Sequence, residues 1–180
     1  MTVSIRLLLP DEVATQRAGA ALGAAINGAR DEIERHGLVI GLSGDLGAGK
    51  TTWIRATLRA LGVAGNVKSP TFSILEAYVV SRLNFYHFDF YRFKEAREFS
   101  TAGFREYFGA GAVCAIEWPQ HAAGYLPAPD LLIELSAVDA GRVASVNAST
   151  ILGEPCLTRL TAQLTDLIVA SNPRTPAAGN

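Results

Sequence analysis

The chain has 180 residues, 49% hydrophobic and 18% charged, a balance that excludes an intrinsically disordered polypeptide. Its net charge of −1 excludes a global positive field for drawing in nucleic acid, so an RNA connection requires a local patch or a partner protein. No apolar run approaches the ~18 residues needed to cross a bilayer, and the apolar part of "MTVSIRLLLPDE" is too short for a signal peptide.

In chain order, "VSIRLLL" (3–9) reads as a strand, and Pro10 with Asp11 opens a helix. Its apolar positions Val13, Ala18, Ala21, Leu22, Ala25 and Ile26 fall near helical spacing. "LVIGLS" (38–43) is a short apolar run of the kind that forms a buried parallel strand. "TTWIRATLRALG" (51–62) is helical, with Ile54, Thr57, Leu58 and Leu61 on one face and Gly62 as a stop. "TFSILEAYVV" and "RLNFYHFDFY" are both strand-like, and the short polar link between them predicts an antiparallel hairpin. "FKEAREFSTAGFREYFG" (93–109) predicts one or two short helices, and "AVCAIEW" (112–118) another buried strand. "DLLIELSAV" and "RVASVNAS" flank "DAG" as a second hairpin. "PCLTRLTAQLTDLIVA" (155–170) has the leucine spacing of an amphipathic helix, and the tail 171–180 is expected to be disordered.

"GDLGAGKTT" (44–52) fits G-x-x-x-x-G-K-[ST] and lies between a predicted strand and a predicted helix. Glycines let such a loop curl so that its N–H groups point at phosphate oxygens, and the next helix adds the positive end of its dipole. Lys50 would reach the β- and γ-phosphates, and the Thr51 hydroxyl would sit on Mg²⁺. The plain alternative, a glycine-rich turn that happens to precede a lysine, does not account for the strand and helix around it. The expected fold is therefore an α/β, P-loop NTPase-like three-layer domain. Its central sheet is mixed parallel and antiparallel and flanked by helices, in one domain over 3–170. No N/T-K-x-D stretch is present to read guanine, which favours ATP.

Asp89 and Glu117 each end a hydrophobic run, the form of a second phosphate-loop motif. Each also reads as an edge charge paired with an arginine, Arg92 in the case of Asp89. In "NVKSPTFS" (66–73), Ser69 is held extended before Pro70 and Thr71 opens a strand, as a switch threonine or a simple junction. Trp118 is expected to pack against the loop that positions Glu117. His87 alternates with Asp89, where it could hydrogen-bond near that carboxylate, and reads first as a satisfied core histidine. Cys114 and Cys156 lie among apolar residues outside any Cys-x-x-Cys pair, so reduced thiols and a cytoplasmic location are expected.

"GDLGAGKTT", "NVKSPTF", "YHFDFYR" and "IEWPQ", in this order, resemble the TsaE (YjeE) family of bacterial ATPases from Asp11 to Val146. The stretch between Ala25 and Leu38 is longer than in that family, which implies an extended helix or loop. The resemblance implies slow, Mg²⁺-dependent ATP hydrolysis in support of a TsaD–TsaB complex. That complex threonylcarbamoylates the adenosine 3′ of the anticodon in tRNAs reading codons that start with adenine. TsaD carries the transferase chemistry, the tRNA is met through the partners, and the ATPase serves a conformational or reset step. Carried over by position, the phosphate cradle is Asp45, Leu46, Gly47, Ala48, Gly49, Lys50, Thr51 and Thr52. Thr51 and Glu117 would hold the metal, and Asp89 would support the metal or the attacking water. Thr71 would act as a switch, giving a catalytic set of Lys50, Thr71, Asp89 and Glu117. Glu12 in "PDE" and Gly141 and Arg142 in "AGR" would flank the base and sugar.

Two other functions stay open on the residues alone. A P-loop small-molecule kinase needs an acceptor pocket and usually an arginine-rich lid, for which only Arg92 and Arg97 stand nearby. A nucleotide-gated binding module would need Lys50 but neither Asp89 nor Glu117.

Overall fold

The computed structural model describes residues 3–169, and the tail expected over 171–180 lies outside the described residues. The elements are β1 (Val3–Leu9), α1 (Glu12–Gly28), α2 (Arg30–His36), β2 (Leu38–Gly44), α3 (Lys50–Ala60), β3 (Leu75–Val80) and β4 (Leu83–Asp89). They continue with α4 (Glu98–Thr101), β5 (Ala112–Glu117), β6 (Leu131–Val138), β7 (Gly141–Ala148) and α5 (Gly153–Gln163). The strands form a seven-stranded sheet in the order β1-β7-β6-β2-β5-β4-β3. Its centre is parallel: β2 pairs with β5 and β6, and β4 pairs with β5. Both flanks are antiparallel, through the hairpins β3–β4 and β6–β7 and through β1 on β7. This is the mixed α/β sheet the sequence implies.

Helices cover both faces. On one, α1, α3 and α5 pack on a core that includes Leu22, Ile26, Trp53, Leu58, Leu157 and Leu160. The other face is covered by α4 and the turns after it, through Phe88, Phe90, Phe93 and Phe99, with Phe104 packed against them. The α1 start is capped by Asp11, whose side chain accepts from the Ala14 N–H at 2.7 Å. β2 is apolar from Leu38 to Leu42 because both of its faces are covered there.

Several boundaries differ from expectation. The long stretch before Leu38 forms a separate helix, α2, rather than extending α1. Acidic residues Asp31 and Glu32 start it, and Arg35 and His36 end it, in the sense the helix dipole favours. β3 begins at Leu75, not Thr71: residues 71–73 form a turn, and Ile74 adopts φ 68°. The helix expected over 155–170 stops at Gln163, and Ile168 instead bridges Leu7 of β1. An edge strand with open N–H and C=O groups competes there with continued helix.

Alternation along β4 sorts the aromatic run that surrounds Asp89. Leu83, Phe85, His87 and Asp89 project to the α3 side, while Tyr86 and Phe88 project to the aromatic cluster. The rings around Asp89 therefore mostly line the opposite face of the sheet. They fix the strand without surrounding the carboxylate.

Candidate active site

β2 ends at Gly44, and α3 starts six residues later at Lys50. Between them Gly44, Gly47 and Gly49 take φ of 137°, 78° and 107°, which side-chain-bearing residues rarely adopt. A Cβ on Gly47 would meet nothing within 4 Å, so this part of the loop faces open space. Because α3 begins at Lys50, the N–H groups of Lys50, Thr51 and Thr52 have no partner inside the helix. They and the dipole above them make an anion site.

Lys50 is folded back over this loop. Its Nζ donates to the carbonyls of Gly44 (2.7 Å) and Asp45 (2.8 Å) and lies 4.1 Å above the Trp118 ring. Burial lowers its ammonium below the usual lysine range, while the charges of Glu117, Asp89 and Asp45 pull the other way. Trp118 holds its position through a left-handed backbone, φ 58°, which costs a residue with a Cβ about 1–2 kcal/mol. Its N–H is tied to the Leu42 carbonyl at 3.1 Å.

Glu117 and Asp89 stand opposite each other in the parallel register of β5 and β4, both only 3% exposed. Their partners differ. Glu117 Oε1 accepts from Thr51 Oγ1 at 2.7 Å and from His87 Nε2 at 2.9 Å. Asp89 Oδ2 accepts from Thr71 Oγ1 at 2.7 Å and lies 3.4 Å from Ser69 Oγ, while Oδ1 accepts from the Tyr91 N–H at 2.9 Å. Arg92 is not its partner: that guanidinium lies 4.2 Å over the exposed Phe72 ring. His87 is not the satisfied core histidine expected, since its Nδ1 is buried without a partner and its Nε2 belongs to Glu117.

These groups line a cavity of about 260 Å³. Its walls are Leu46, Gly47, Gly49 to Thr52, Ser69, Thr71, Asp89, Tyr91, Glu117 and Trp118. The expected set of Lys50, Thr51, Thr71, Asp89 and Glu117 is thus brought together. Asp45 and Ala48 do not line the cavity; within the loop the Ala48 N–H bonds the Asp45 carbonyl at 3.1 Å. The three residues expected at the base and sugar stand outside this cavity. Arg142 is nearest, with its Nη1 3.4 Å from Thr15 Oγ1 and its chain against Gly49. Glu12 accepts from Gln16 on the exposed first turn of α1, and Gly141 packs on the backbone of Leu9 and Pro10.

The contacts that sequence reasoning missed are those of Ser69, Tyr91 and His87. Only His87 carried a signal, its two-residue spacing from Asp89, and that pointed to the wrong carboxylate.

The donors at the cavity are hard oxygens, a hydroxyl and a carboxylate 2.7 Å apart, which suits Mg²⁺. Among the described residues no cluster of three His, Cys, Asp or Glu side chains forms a cage of its own. Magnesium in nucleotide sites typically uses one or two protein ligands and completes its shell with phosphate and water.

A family model described as threonylcarbamoyl adenosine biosynthesis protein TsaE matches residues 9–144. The chain is 36% identical over 151 residues to the tRNA threonylcarbamoyladenosine biosynthesis protein TsaE of Haemophilus influenzae, covering 84% of this chain and 94% of that one. It is 41% identical over 97 residues to the protein of the same name from Bacillus subtilis, covering 54% and 60%. The crystal structure of Bacillus subtilis YdiB superposes with a TM-score of 0.66 at 31% identity, over 90% of this chain and 95% of that one.

Proposed function

The chain belongs to the TsaE family, and from that premise we propose that it is a Mg²⁺-dependent ATPase serving tRNA threonylcarbamoylation. In this reading it supports a TsaD–TsaB complex that modifies the adenosine 3′ of the anticodon in tRNAs reading codons that begin with adenine. ATP binding and hydrolysis drive a conformational or reset step, and the tRNA is met through the partners. A modest charge of −1 suits that division of labour.

The observation that carries the ATPase reading is the convergence of the phosphate loop, Thr51 and Glu117 within hydrogen-bond reach in one cleft. The positive-φ glycines and the start of α3 cradle the phosphates. Lys50 exchanges its two loop carbonyls for β- and γ-phosphate oxygens. Thr51 and Glu117 hold the metal, which when bound neutralises charge on the phosphates. Asp89 fixes the 66–73 loop through Thr71 and orders what surrounds the reacting phosphate. In this reading Arg142, whose chain lies against Gly49, flanks the nucleotide's sugar or base together with Glu12 and Gly141.

Every catalytic side chain in this account has a protein partner at rest. Thr51 is spent on Glu117, Lys50 on the loop, and Thr71 on Asp89. Basal turnover is therefore expected to be slow until a partner or a nucleotide redistributes these bonds. The test is phosphate release from ATP by the chain alone and with TsaD–TsaB. Stimulation by the partners supports the proposal. No stimulation, together with transfer of phosphate to a small acceptor, replaces it with a kinase.

A further inference from the structure

We propose that His87 is a positioning residue for the metal side of the site, holding the Glu117 carboxylate with one oxygen committed to the protein and the other left to the cleft. The proposal rests on the ATPase reading above. His87 is completely buried on β4, two residues before Asp89 and on the same face. The parallel register sets it opposite Ala115, not Glu117, so Glu117 reaches diagonally back past a small side chain to meet it. The carboxylate only accepts, so the ring hydrogen in this 2.9 Å contact sits on Nε2.

Both donors to Glu117, the ring and the Thr51 hydroxyl, fall on Oε1. Among the described residues no donor reaches Oε2, and Glu117 lines the cavity. Two bonds from two different elements, β4 and α3, leave the carboxylate little freedom to turn. Without the ring, Thr51 alone holds the carboxylate, and Oε2 is free to turn away from the cleft, which removes a metal ligand while Lys50 and the loop amides stay in place. The buried, unpartnered Nδ1 points the same way. A phenylalanine would fill this core position without stranding a polar atom, so the imidazole is present for its other nitrogen.

The test compares three substitutions in the full chain: His87→Phe, which keeps a ring but no donor, His87→Gln, whose amide reaches the Nε2 position, and His87→Asn, whose amide falls short. Mn²⁺ affinity in the presence of ADP is read by electron paramagnetic resonance, ADP affinity in chelator by calorimetry, and folding by thermal melting. Loss of Mn²⁺ affinity by about 10–100-fold is expected for His87→Phe and His87→Asn, the usual cost of removing the support of a metal ligand. ADP affinity without metal should stay as in the parent, and His87→Gln should recover most of the loss. If His87→Phe does not fold, the contrast between the Gln and Asn variants carries the same test. Wild-type Mn²⁺ affinity in the donor-free variants, or equal weakening in all three, overturns this inference and leaves the ATPase reading standing. A parent protein that binds nucleotide with no metal dependence, or no nucleotide at all, overturns the metal site and this inference with it.

Discussion

Asp89 is a buried carboxylate whose hydrogen-bond partners are uncharged. Three neutral donors, from Thr71, Ser69 and the Tyr91 backbone, replace the water it gave up. Asparagine keeps the shape but offers one acceptor oxygen for bonds that now use two. Asp89→Asn should therefore free the 66–73 loop and lower ATP turnover by about 10²-fold, the scale set by small misplacements in a site. Nucleotide affinity should change far less, because Lys50 and the loop amides are untouched. Steady-state kinetics beside equilibrium binding checks this, and an equal fall in both would make Asp89 a binding residue. At this scale the sequence revealed that Asp89 and Glu117 are unusual, because each ends an apolar run. It did not reveal their partners. Arg92 was near in sequence, whereas Thr71 and Thr51 are 18 and 66 residues away from the carboxylates they bind.

The phosphate loop is only as well placed as α3, and α3 is held by its close approach to α1. A Cβ on Gly19 would collide with the Trp53 carbonyl oxygen and lie 2.7 Å from the Ala56 Cβ, and one on Gly23 would lie 2.8 Å from the Thr57 carbonyl oxygen. Thr57 Oγ1 seals the contact by bonding the Gly19 carbonyl at 2.9 Å. In an exposed helix, glycine to alanine stabilises. Here the sign should reverse, with Gly19→Ala destabilising by about 1–3 kcal/mol through overpacking. Denaturant unfolding measures it, and an unchanged or higher midpoint would mean that the two helices separate freely. The periodicity of both helices was readable, but this contact was not. Small residues on a helix face show that something approaches closely without showing what. The same limit explains α2 and α5: composition marks a helical tendency, and neighbouring strands decide where the helix stops.

Across the whole molecule, the sheet separates two cores, and each holds one cysteine. Cys114 lies with the aromatic cluster and Cys156 with the helices of the opposite face. Burial pushes the Cys114 thiol up to about 12 and Cys156 up to about 11. Both folded-state values exceed the unfolded value of about 8.5, so folding favours the protonated thiols. Their contribution is full below about pH 8.5 and is lost as pH rises toward the folded values. Two results are expected: no reaction of either cysteine with an aromatic disulfide reagent at pH 8 until denaturant is added, and an unfolding midpoint that falls above about pH 8.5. Rapid labelling of the native chain would contradict both. Among the described residues no helix is long and apolar enough to cross a membrane. The sequence by itself determined the order of the strands, the helices other than α2, both hairpins and the glycine-rich loop that carries Lys50 and Thr51. These follow from periodicity, turn residues and a contiguous motif, all of which act over a few neighbouring residues. Only the tertiary structure decided that Glu117 meets Thr51 and His87, that Asp89 holds the 66–73 loop, and that Lys50 rests on Trp118. Those pairings depend on strand register and on which face each side chain takes, and both are fixed by packing between distant segments.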